Sequence, residues 1–203
     1  MRCNVKAGSR GGMGMDREHL SQSIAGSAET ISGLSRQVDR IAEACRMVVG
    51  ALRAGAKILA AGNGGSAAEA LHLAEELTGR FRSNRRPLPG LALVADCTAL
   101  TCIGNDFGFD KVFSRQVEAL GQPGDVLVLF SSSGNSPNLI AALEAARVKG
   151  VKVIGLLGKG GGAMAGRGDC EVVVDSSVTS HIQEAHAVLM HILLGAVEAE
   201  FGI

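Results

Sequence analysis

From residue 57 onward, five short apolar runs at 58–61, 91–95, 126–130, 151–157 and 171–174 alternate with segments of helical pattern at 67–80, 111–120, 138–149 and about 180–200. The runs are largely continuous Val, Ile, Leu and Ala, as a strand buried on both faces of a parallel sheet requires. Few folds accommodate such repetition of strand and helix. It predicts an α/β fold, a three-layer αβα sandwich around a five-stranded parallel sheet. Ligands of such sheets sit at the carboxyl ends of the strands, so chemistry is expected in the strand-to-helix loops.

Residues 16–54 precede this repeat and read as an N-terminal helical extension. Their apolar stripe, Ile31, Leu34, Val38, Ile41, Cys45, Val48 and Leu52, steps by three and four. That heptad spacing presents one narrow seam. Two readings fit it: a helix packed on its own domain, or a helix in a multi-subunit bundle. Gly26 and Gly33 weaken the earlier part and predict a break. Residues 1–15 hold four glycines, three cationic side chains and no acid. They predict a disordered tail without the apolar stretch of a secretion signal. The expected organisation is therefore a tail at 1–15, a helical oligomerisation segment at 16–54 and a ligand-binding domain at 55–203.

Composition excludes several functions. The 20 Lys and Arg balance 20 Asp and Glu, so no net field draws the chain to nucleic acid or an anionic membrane. With no Trp, no Tyr and 6 Phe, a platform for stacking bases is not available. No apolar run approaches the roughly 20 residues of a membrane span. Cys3, Cys45, Cys97, Cys102 and Cys170 are scattered without C-x-x-C spacing. Reduced thiols in a cytoplasmic protein suit that pattern better than a disulfide framework or a cysteine zinc site.

Two loops stand out. Gly62-Asn63-Gly64-Gly65-Ser66 follows the first run and opens a helix. Glycines allow close backbone approach, and the helix start offers free N–H groups to an anion. Gly62, Gly64 and Ala67 also satisfy the dinucleotide pattern G-x-G-x-x-A, which needs an acidic residue about 20 positions on, at the next strand end. The nearest such residue, Asp96, lies 34 positions after Gly62. The second loop, Ser131-Ser132-Ser133-Gly134-Asn135-Ser136, precedes Pro137 at a helix start. One serine suffices for an N-cap. Four hydroxyls with no Gly-Lys-Ser/Thr sequence predict a site for the phosphate monoester of a small molecule.

His72 and Glu76, four apart on the helix after the first loop, stack on one face. Gln183 and His191 on the last helix are eight apart, about 80° around the axis. Each histidine alone can be a hydrogen-bonded, partly buried residue, and for His72 by itself that is the favoured reading. Spacing alone does not make Gln183 a ligand; were it one, His72, Glu76, Gln183 and His191 would form a mixed nitrogen and oxygen set suited to zinc or another divalent ion.

The stretches GNGGS at 62–66, HLAEELTGRF at 72–81, GNDFGF at 104–109, SSSGNS at 131–136 and IQEAHAVLMH at 182–191 resemble the sugar isomerase (SIS) domain family, and within it the phosphoheptose isomerases. The resemblance runs from about residue 20 to the end. It implies interconversion of sedoheptulose 7-phosphate and D-glycero-D-manno-heptose 7-phosphate, feeding heptose into cell-surface glycans. It further implies phosphate on Ser131, Ser133 and Ser136 with Ser132 lining the site. Sugar hydroxyls would meet Asn63, Ser66 and Asp106, with Gly64, Gly65 and Gln183 also at the substrate. Family zinc ligands fall on His72, Glu76, Gln183 and His191, and the acid–base pair on Glu76 and His191. Such enzymes are typically homotetramers with active sites between subunits. Several members carry Thr where this chain has Ser132, and commonly Arg where it has His181.

Aldose–ketose isomerisation moves one proton between C1 and C2 and another between the two oxygens, work that a carboxylate and an imidazole can share. Glu76 as metal ligand and as carbon base are partly competing roles, because coordination lowers basicity. Two alternatives remain at this stage: a non-catalytic SIS protein that binds a sugar phosphate or a protein partner, and an isomerase of another phosphosugar.

Overall fold

The apolar runs form β1 (Ile58–Gly62), β2 (Gly90–Ala92), β3 (Val126–Ser131), β4 (Lys152–Gly158) and β5 (Cys170–Val174) in a computed structural model that describes residues 16–202. Residues 1–15, with the expected tail and Cys3, lie outside the described residues. All strand pairs are parallel, in the order β2-β1-β3-β4-β5. Successive strand residues face opposite layers, and the core divides accordingly. Ile58, Ala60, Val126, Val128 and Phe130 point to one side, Leu59, Ala61, Leu127 and Leu129 to the other.

The first side is covered by α2 (Val38–Arg53), α3 (Gly65–Thr78) and α7 (Thr179–Phe201), with α1 (Arg17–Gly33) packed outside against α7. The second is covered by α5 (Ser114–Leu120) and α6 (Pro137–Lys149). The three-layer αβα expectation holds. Gly33 ends α1, and a 3-10 turn at Leu34–Gln37 joins it to α2, so a break falls at the second of the two glycines, while α1 runs unbroken through Gly26.

Two expectations change. The heptad stripe is filled from within the chain. Leu34, Ile41, Val48 and Leu52 are buried in the same core as Leu189 and Leu193 of α7, whereas Val38 is exposed. The seam therefore serves the domain's own packing, and the multi-subunit reading loses most of its stripe. A further helix, α4 (Cys97–Phe107), occupies a stretch outside the helical segments expected above. Asp96 caps it by accepting from the Thr98 and Ala99 N–H groups, yet none of its residues is buried. Leu100 and Ile103, three apart, pack partly buried against the second core, so an apolar face is present but short.

Candidate active site

β1 and β3 are neighbours, while the chain leaves them towards opposite layers, into α3 and α6. That is the switch point at which doubly wound sheets open a crevice. Both loops singled out above stand at its rim. The Asn63 and Asn138 amides donate to each other's carbonyl oxygens at 2.9 Å and tie the two loops together. Asn138 is a residue that sequence reasoning missed, since it reads as an ordinary first-turn polar residue.

Asn63, Ser66, Ser131, Ser132, Ser133 and Ser136 line one small cavity of about 60 Å³. It suits a phosphate-sized group. Ser131 is buried and accepts from the Gly134 N–H at 3.0 Å, while Ser133 accepts from the Asn135 N–H at 3.2 Å. Ser136 occupies the N-cap position of α6, but its hydroxyl makes no cap hydrogen bond, leaving it free for a ligand. Gly134, at φ 62°, could carry no side chain, because a Cβ would run into the Gly161 carbonyl. The glycine-rich turn Lys159–Met164 thereby packs directly on the serine loop, with the Ala163 N–H donating to Asn135 Oδ1 at 2.9 Å.

The second half of the site lies between α3 and α7. His72 Nε2 is 3.3 Å from Glu76 Oε1. The His191 ring stands edge-on to His72 with centroids 5.3 Å apart, and its other side stacks on Phe81 at 5.5 Å. Burial, with the nearby His72, pushes the His191 pKa below the ordinary imidazole value. Gln183 sits at a different level, its amide against Gly65 at the start of α3, so close that a Cβ on Gly65 would collide with it. Gly65 is about 10 Å along α3 from His72. Gly64, the N-cap residue of α3, has φ 58°.

Single ligand atoms of His72, Glu75 and Glu76 all lie within 4.8 Å of one another. With His191 beside His72, the set offers two imidazoles and carboxylate oxygens, the mixed donors that zinc takes. Burial that favours the neutral His191 ring also favours ligation. These residues fit a divalent ion; Glu75 is an exposed addition to the expected set, and Gln183 lies towards the first loop.

Asp106 is not brought to the cavity of its own chain. It sits on exposed α4 and accepts from the Asn105 amide at 2.7 Å. Asp96 caps α4 through Oδ1, accepting from the Thr98 and Ala99 N–H groups, and lies 34 positions after Gly62, beyond the spacing the dinucleotide pattern needs for its ribose carboxylate. His181 abuts Gly26 of α1, filling the place where a Cβ would stand. The four described cysteines are free thiols, Cys97 and Cys102 exposed, Cys45 half-buried and Cys170 buried.

A parallel sheet with a serine-lined pocket at its switch point and a histidine–carboxylate cluster beside it defines a sugar-phosphate-type domain, and the family model for the SIS domain matches residues 22–158. The phosphoheptose isomerase of Campylobacter concisus is 56% identical over 78% of this chain and 84% of its own length. That of a Geobacter species is 46% identical over 90% of this chain and 96% of its own. Among solved structures, the phosphoheptose isomerase from Neisseria gonorrhoeae superposes with a TM-score of 0.84 at 41% identity, covering 90% of this chain and 98% of that one. The chain belongs to the SIS domain family, in its phosphoheptose isomerase branch.

Proposed function

We propose that this protein is an aldose–ketose isomerase that converts sedoheptulose 7-phosphate to D-glycero-D-manno-heptose 7-phosphate, supplying heptose for cell-surface glycans. The observation that carries the reading is the convergence of His72, Glu76 and His191 beside a serine-lined pocket, in a chain 56% identical to a named phosphoheptose isomerase.

In this reading Ser131, Ser132, Ser133 and Ser136 hold the phosphate. Asn63, Gly64, Gly65, Ser66 and Gln183 meet the sugar hydroxyls. Glu76 moves the proton between C1 and C2, and His191 moves the proton between the oxygens. The depressed pKa of His191 keeps its ring free to accept a proton near neutrality. Remote phosphate binding orients the open chain along α3, which carries Ser66 at one end and Glu76 two to three turns on. His72, Glu76 and His191 would hold one zinc ion per subunit, while Gln183, the fourth ligand of the expected set, stands towards the first loop. When bound, that ion supplies Lewis-acid polarisation of the carbonyl.

The reading also has the protein acting in the cytoplasm as a homotetramer. Supporting assembly, Leu91, Ala99, Ile103, Phe107 and Leu120 line an open apolar groove of about 580 Å³, and large exposed apolar patches mark interfaces. Asp106, on the same helix and outside its own chain's pocket, would then serve a neighbouring subunit's site. No described helix is long and apolar enough to cross a membrane.

The test is incubation of the purified protein with sedoheptulose 7-phosphate, other ketose phosphates and free sedoheptulose, following aldose formation. The heptulose phosphate is expected to be turned over and the free sugar to be a very poor substrate. Equal turnover of free and phosphorylated sugar would remove the phosphate role of the serine loop.

A further inference from the structure

Glu69 on α3 and His186 on α7 are buried polar residues that the isomerase reading leaves unused. His186 is fully buried, and its Nε2 lies 3.2 Å from the Leu157 carbonyl oxygen near the end of β4. A carbonyl only accepts, so Nε2 carries the proton donated there. Nδ1 faces Glu69 Oε2 at 3.8 Å, and neither atom has a hydrogen-bond partner among the described residues. Two acceptors facing each other away from water are unfavourable, and buried groups of this kind are nearly always paired. One proton between Oε2 and Nδ1 satisfies both after a short movement of either side chain.

The placement of this pair gives it a task. On α3, Glu69 is three residues before His72 and seven before Glu76, so the three share a face. On α7, His186 is five residues before His191. Glu69 thus sits about one turn from His72 and two from Glu76 along α3, while His186 lies about 7.5 Å along α7 from His191 and about 140° around its axis, facing the sheet. His186 is also bonded to β4, where Leu157 lies opposite Ser131 of the serine loop. A single imidazole on the helix bearing His191 thus donates to the strand beside the phosphate pocket and faces the helix bearing Glu76.

We propose that Glu69 and His186 form a proton-sharing pair that positions the acid–base cluster. Glu69 acts through His186 on the separation of Glu76 from His191, and is a positioning residue rather than a catalytic one. This rests on the isomerase reading above.

Glu69→Gln brings its own amide N–H to Nδ1, whereas Glu69→Asn carries the same amide one methylene too short. Turnover of sedoheptulose 7-phosphate and thermal unfolding are measured for both. Glu69→Gln is expected to keep kcat within about threefold of the native enzyme. Glu69→Asn is expected to lose at least about tenfold in kcat with KM within about twofold, since misplaced reacting groups slow chemistry while the phosphate pocket is untouched. A Glu69→Asn variant with native kcat, or a loss confined to thermal stability, overturns the proposal. So does a Glu69→Gln variant as impaired as Glu69→Asn, which would mean that the charge itself is needed.

Nitrogen-15 spectra of the histidine rings in the native protein give a readout that needs neither variant nor substrate. The His186 Nδ1 signal is expected to be displaced from that of a bare imine nitrogen by its hydrogen bond, and a bare signal overturns the pairing. Absence of turnover in the native protein would instead defeat the isomerase reading, while leaving this nitrogen signal to be judged by itself.

Discussion

Glu76 is the residue on which the chemistry turns. It is partly buried, pairs with His72 at 3.3 Å and shares its face of α3 with no competing cation. Replacing it by Gln keeps the shape and an oxygen for metal but removes the base. In heavy water the native enzyme is expected to leave deuterium at C2 of the aldose, because a proton held on a carboxylic acid exchanges with solvent before delivery. Glu76→Gln should lose labelling and turnover together, by at least about 100-fold. Unlabelled product from active native enzyme would point to direct hydride transfer between the carbons. A fully active Glu76→Gln variant would move the base to another residue.

At the scale of elements, α3 and α7 must be held in register, because each carries half of the reacting cluster. Arg85 does this at their far end. Its side chain is fully buried and donates to the Glu76 and Leu77 carbonyls, at 2.5 Å and 2.8 Å, capping the end of α3. It also reaches Glu198 of α7 at 3.1 Å. The Ser83 hydroxyl and N–H, together with Arg85, hold the Glu198 pKa below the usual carboxylate value. A carboxyl depressed in this way contributes stability that is present above its unfolded pKa and lost as pH falls through the folded one. Glu198→Gln should therefore be less stable than the native protein at pH 7, on the order of 2 kcal/mol, as for a lost charged hydrogen bond. The gap should close as pH drops below the ordinary Glu range near ~4. Urea unfolding at several pH values measures it, and a gap independent of pH would mean that the charge of Glu198 contributes nothing.

For the whole molecule, the question is which surface meets another copy. The stripe on α2 is mostly consumed by the chain's own core, whereas α4 has no buried residue and Phe107 is about half exposed. An assembly that covers the groove beside α4 should give a scattering mass near four times 20.8 kDa. Phe107→Asp, which forces a charge into that contact, should lower the mass without unfolding the subunit. A native mass of one chain would rule out the tetramer, and an unchanged mass in the variant would place the interface elsewhere.

Local rules determined much of this protein. Continuous apolar runs announced the parallel sheet, since a strand covered on both faces cannot afford polar residues. Loop composition marked both rims of the crevice, and four-residue spacing put His72 and Glu76 on one face. These features depend on neighbours in the chain, and the chain displays them. Tertiary structure decided the rest. A heptad stripe is the same string whether its seam meets α7 or another subunit, and only packing shows that α7 fills it. α4 offers only a short apolar face, Leu100 and Ile103, whose role is set by the core it lies against. Glu69, Asn138 and His186 acquire meaning from partners 117, 75 and 29 positions away, respectively. A buried polar group is defined by what faces it across the fold, and that is a property of three-dimensional contact, which the order of residues alone does not contain.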